Sequence, residues 1–125
     1  MVISRALWLC VSGLLLVACD SGGEPEELTL VESLMRDPVA LQRGEALFQG
    51  TCAGLCHALE PKQSDSAYLF DCEWIHGDSD EEIFAVISTG IPDTRMVGFG
   101  DNFPEGDGDK WKLIAYLRAN QQPCD

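Results

Sequence analysis

Positive charge is scarce in this chain: eight Lys and Arg stand against 21 Asp and Glu among 125 residues, a formal net charge of −13. Such a surface repels phosphate backbones, which excludes nucleic-acid binding. Long apolar runs are also missing. The longest, Ala6 to Val17, falls short of the ~20 residues that a comfortable membrane span needs. No internal repeat is visible, so solenoids are excluded, and no segment reads convincingly as a strand. What remains is one small helical domain.

The chain begins "MVISRALWLCVSGLLLVACD". Arg5, the apolar run and the small residues before Cys19 describe an export signal. The ending "LVAC", Leu16 to Cys19, resembles the lipobox of bacterial lipoproteins, in which the cysteine is lipidated and becomes the first mature residue. The expectation is a signal peptide over 1–18 and a lipid-bearing Cys19. A flexible acidic tether then runs through "DSGGEPEELTL" as far as residue 36. Removal of 1–18 takes only Arg5 from the basic set, leaving seven against 21 acids, a net −14. An anionic protein is held to an anionic membrane by acyl chains and attracts basic partners.

The six cysteines sort by place. Cys10 leaves with the signal, Cys19 takes lipid, Cys52 and Cys56 sit in "TCAGLCHAL", and Cys72 and Cys124 remain as a natural disulfide pair in an oxidising compartment. The string Cys52-x-x-x-Cys56-His57 is one residue longer than C-x-x-C-H, the usual signature of covalent c-type haem attachment. Two thiols add to the two vinyl groups of the ring, and the adjacent histidine approaches iron from one face. The additional residue must bulge, and Gly54, free to take positive φ, is the expected place. Two other chemistries remain open. Cys52, Cys56, Cys72 and His76 have the loose spacing of a structural zinc site, and Cys52 with Cys56 could form a redox dithiol.

Three helices are expected. The first begins at "DPVALQRGEALFQG", with Asp37 as N-cap and Pro38 at the first helical position. Val39, Gln42, Arg43 and Ala46 set its spacing, and Gly44 shares a face with Phe48, where a glycine lets another backbone come close. The second is "SDEEIFAVISTG", capped by Ser79 or Asp78, facing Ile83, Val86 and Ile87 inward and ending at Gly90. The third is "DGDKWKLIAYLRAN", with Trp111, Ile114, Ala115 and Leu117 or Arg118 around one stripe.

From Asp37 onward the chain resembles a class I c-type cytochrome: a first helix with Gly44 and Phe48, then C-A-G-L-C-H, then a methionine loop, then "LIAYL" at 113–117. A second stretch, "WIHGDSDEEIF", resembles a segment of cytochromes associated with periplasmic dehydrogenases. The resemblance implies an all-α cytochrome c domain over 37–125, about three main helices around one covalent haem c. It implies iron held by His57 and by Met96, the methionine of "GIPDTRM". A Met/His pair gives a relatively high potential, and with both axial positions filled the iron passes electrons without binding substrate. The expected protein is therefore a carrier, not an enzyme. It would be exported, anchored at the periplasmic face of a membrane, and would exchange electrons with partners such as a periplasmic dehydrogenase, a terminal oxidase or another cytochrome.

Other features admit two readings each. His76 is a rival sixth ligand. Trp74 and Arg95 could donate to haem propionates or serve in packing and at the surface. "DNFPEGDGDKWK" mimics a calcium loop, but Phe103 and Lys112 occupy ligand positions. The residue that orients His57 is not assigned by the sequence. Two further classes of function stand beside the carrier: a haem subunit with an open iron site, and a zinc-stabilised interaction lipoprotein.

Overall fold

The computed structural model describes residues 27–54, 56–61 and 65–124, so the export signal and Cys19 lie outside the described residues. Four α-helices occur among these: α1 (Leu30–Met35), α2 (Pro38–Leu47), α3 (Asp80–Thr89) and α4 (Asp107–Asn120). No strand occurs among the described residues; a single bridge joins Gly90 to Val97. The domain is all-α, as expected.

Local signals start and stop the helices. Asp37 caps α2 by accepting from the Val39 N–H at 2.9 Å, with Pro38 just inside. Ser79 and Glu82 form a capping box at the start of α3, and Gly90 ends it at φ 73°. α1 was not expected. The sequence reads residues 30–35 as tether, yet Thr29 and Glu32 make a second capping box and Val31 is 3% exposed. Packing on α4 holds this short helix in place, and the folded unit therefore starts before residue 37.

The centre of the fold is the crossing of α2 and α4. The α2 face turned inward is Ala40, Gly44, Leu47 and Phe48. It is not the row of Val39, Gln42 and Ala46, which are exposed. A Cβ on Gly44 would collide with the Lys112 carbonyl oxygen and stand 2.8 Å from Tyr116 Cβ. α4 is buried on several sides because α1, α2 and α3 all pack against it. Leu113, Ile114, Ala115 and Leu117 are each at most 2% exposed. Phe48, Phe70 and Tyr116 interlock with ring centroids 5.0 to 5.8 Å apart, and Phe84 stacks on Trp111 at 4.4 Å.

Two polar groups of α4, Asp109 and Lys110, are buried as well. Asp109 accepts from Arg43 Nε at 2.9 Å and Nη2 at 2.7 Å, and from the Glu105 N–H at 3.0 Å. This bidentate pair bolts α2 to α4 and holds the Asp109 carboxyl below its ordinary range, chiefly through the hydrogen bond from Arg43. Arg118 ties α4 to the segment before α3, bonding Asp80 at 2.7 Å and the Asp78 carbonyl, with its guanidinium over Trp74. Cys72 and Cys124 meet at the other end of this segment, with Cα atoms 5.4 Å apart, a separation a disulfide spans.

Two outcomes follow for stability. Gly44→Ala should lower it by about 1–3 kcal/mol through forced separation of the helices. Gly108→Ala, where an added Cβ meets nothing within 4 Å, should raise it by up to about 1 kcal/mol; thermal or urea melts of the two variants check both signs. The second outcome concerns acid. Since the folded-state pKa of Asp109 is depressed, its contribution is full above the unfolded value of ~3.9 and is lost as pH falls through the lower folded value. Arg43→Met should therefore lower the melting temperature at pH 7 by roughly 5 °C or more, a difference that shrinks in melts carried at progressively lower pH as Asp109 is protonated.

Candidate functional site

α2 does not stop at Leu47 but widens. Residues Phe48–Ala53 wind as a π-helical turn, and the His57 N–H donates to the Cys52 carbonyl, five residues back, at 2.9 Å. The Cys56 N–H reaches the same carbonyl at 3.3 Å. A π turn takes up one residue more than an α turn, which is the excess of this motif over C-x-x-C-H. Gly54 therefore does not bulge at positive φ: it sits at φ −61°, ψ −25°, in the right-handed helical region. The additional residue is absorbed by winding the backbone wider.

His57 has a partner that the sequence could not name. Its Nδ1 lies 2.8 Å from the carbonyl oxygen of Ala67. A carbonyl only accepts, so Nδ1 carries the proton and donates, which leaves the Nε2 lone pair for a metal. A cavity of about 330 Å³ opens beside this ring. Cys52, Cys56, His57 and Met96 all line it, with Phe48, Ile83, Ile87, Leu113 and Leu117 among its apolar walls. Burial, with a smaller contribution from the neighbouring Cys56, pushes the Cys52 thiol up to about 11.

Met96 comes from a tight loop between α3 and α4. The Ile91 N–H bonds the Met96 carbonyl at 2.9 Å, and Thr94 Oγ1 accepts from the Met96 N–H at 3.1 Å. Gly90 and Gly98 let the two arms touch, for a Cβ on either would come within 2.5 Å of the opposing backbone. His76 and Arg95 stand at the cavity edge, both exposed, and Arg95 faces Asp65 at 3.8 Å. The Trp74 indole N–H is engaged, donating to the Asp71 carbonyl at 3.2 Å. Cys72 does not line the cavity and faces Cys124 instead, so the zinc set of Cys52, Cys56, Cys72 and His76 is not brought together. Among the described residues no group of three or more His, Cys, Asp or Glu is placed to hold a metal ion.

A family model described as cytochrome c oxidase, cbb3-type, subunit III matches residues 39–117. The chain belongs to that family. No curated protein and no solved structure matches it. The matched span runs from the first turn of α2 into the last turn of α4 and contains the cysteine motif and the Met96 loop. A cytochrome c domain is a haem-based electron-transfer unit, with haem c bound covalently and redox proteins as partners, rather than an enzyme. The residues present fit that group. Two thiols and a histidine with a free ring nitrogen face one largely apolar cavity, and a soft thioether lines it too.

Because Gly54 has helical dihedrals and an added Cβ would find only ordinary contacts at 3.6 and 3.8 Å, Gly54→Ala should leave haem incorporation at the wild-type level. It should also match or raise the stability by up to about 1 kcal/mol. Haem content by absorbance together with a melt checks this; loss of attachment would mean that glycine's freedom is used there after all.

Proposed function

We propose that the protein is a membrane-tethered, periplasm-facing electron carrier with one haem c, attached through Cys52 and Cys56 and ligated by His57 and Met96. The observation that carries this reading is that all four side chains line one apolar cavity, with the His57 ring oriented by the Ala67 carbonyl. One haem is proposed because one motif is present; Cys72 and Cys124 are assigned to a disulfide. The lipobox ending at Cys19 supports the tether and the apolar leader supports export. No helix among the described residues is long and apolar enough to cross a membrane.

The haem supplies one-electron chemistry when bound. The chain does the rest. His57 and Met96 are proposed to fill both axial positions, which leaves no place for substrate and sets a relatively high potential. The apolar walls keep water from the ring. Arg95, at the cavity edge, is the better placed of the two proposed propionate donors, since the Trp74 N–H is already engaged. A surplus of acidic groups steers basic docking faces of donor and acceptor toward the domain, a periplasmic dehydrogenase and a terminal oxidase being the partners proposed.

The test is spectroscopic. Protein made with c-haem maturation factors should gain the mass of one haem that survives acid–organic extraction, and should give a low-spin, six-coordinate spectrum with poor carbon monoxide binding. Met96→Ala should open the sixth position, lower the potential and bind carbon monoxide readily. A wild-type protein that is already five-coordinate would replace the carrier by a haem subunit with an open iron site.

A further inference from the structure

The loop that carries Met96 has two stalks, and one buried ammonium joins them. Ser88, in the last turn of α3, lies on one side and Gly100 on the other. The Gly100 N–H donates to the Ser88 carbonyl at 3.0 Å, and the Phe99 N–H to the Ile87 carbonyl at 2.9 Å. Lys110, from the first turn of α4, is 2% exposed. Its Nζ donates to Ser88 Oγ at 3.1 Å and to the Gly100 carbonyl at 2.9 Å. Asp107 Oδ1 forms an ion pair with the ammonium at 2.8 Å, and the ammonium lies 4.6 Å from the centre of the Phe84 ring.

An ammonium has three protons to give; two have hydrogen-bond acceptors here, and the Asp107 carboxylate balances the charge. Burying such a charge is costly unless it is fully satisfied. A leucine or methionine would fill the same space without that cost, so the charge contributes something that volume does not. Its two acceptors sit on opposite stalks of the Met96 loop, and the paired carboxylate is on α4 itself.

We propose that Lys110 is a positioning residue for the sixth iron ligand: its ammonium clamps both stalks of the 89–99 loop to α4 and so limits the opening that would draw Met96 away from the iron. The proposal rests on the reading of Met96 as axial ligand. The clamp acts at the base of the loop, at Ser88 and Gly100 on either side of Met96, and touches neither haem-attachment cysteine. Its loss makes the methionine leave more often while the rest of the fold stands.

The measurement is the rate at which imidazole binds the oxidised, haem-loaded protein, since imidazole enters only when the methionine has left. Lys110→Met should raise that rate by about tenfold or more, as expected when hydrogen bonds from a charged donor are lost. Arg43→Met breaks another buried ion pair of α4 but contacts neither stalk, and should leave the rate within about twofold of wild type. Ser88→Ala, which removes one acceptor and leaves the ammonium in place, should give a smaller rise and keeps the question decidable should Lys110→Met fail to fold. Equal rates in wild type, Lys110→Met and Ser88→Ala would overturn the clamp, as would an equal acceleration by Arg43→Met. Failure of the underlying reading looks different: wild type would then bind imidazole as fast as Met96→Ala.

Discussion

The crossing of α2 over α4 is the constraint on which the other features depend. It exists because Gly44 presents no side chain where the carbonyl of Lys112 passes, and it is locked by the forked contact between Arg43 and Asp109. One turn beyond the crossing, α2 delivers Phe48 to the core and then the cysteine motif to the cavity. From the other helix, Leu113 and Leu117 supply the facing wall. Both sides of the cavity are thus fixed by one close approach of two backbones, and an error there would be felt at the cysteines and at the wall together.

How much of this could be read from sequence follows from how local each cause is. Asp37-Pro38, the Ser79 box and Gly90 act within four residues, and each helix boundary they mark falls where they put it. The same kind of signal was available for α1, since Thr29 and Glu32 have the spacing of a capping box. It was masked by the glycine and acid preceding it, which read as tether. The inward face of α2 does not follow its larger apolar side chains. Val39 is apolar yet 72% exposed, while the small Ala40 and Gly44 carry the contact. Hydrophobicity finds large side chains, and this interface is built from small ones.

The site divides along the same line. That Cys52, Cys56 and His57 share one place was legible from their adjacency, and the Met96 loop that joins them at the cavity from its position after the second of the expected helices. The wide turn at Phe48–Ala53 was not, because positive φ at glycine and a π turn both absorb one residue and the string does not say which. Nor could the sequence point to Ala67: the atom that orients His57 is a backbone oxygen, which every residue has. Asp109 and Lys110 lay inside a stretch rich in charge, where burial is seldom expected. Their partners are distant in sequence, 66 residues away for Arg43 and 22 for Ser88.

The early start of the fold bears on the reach of the proposed tether. With Thr29 already committed to the cap of α1 and Val31 to the core, the proposed lipid at Cys19 is separated from the folded domain by only the nine residues 20–28. At ~3.5 Å per residue they extend at most about 30 Å. That is comparable to the width of a small domain. On the proposed reading, a site so tethered would turn about its anchor without travelling far from the lipid headgroups, which would confine exchange to partners whose own redox centres stand within about one domain diameter of the bilayer.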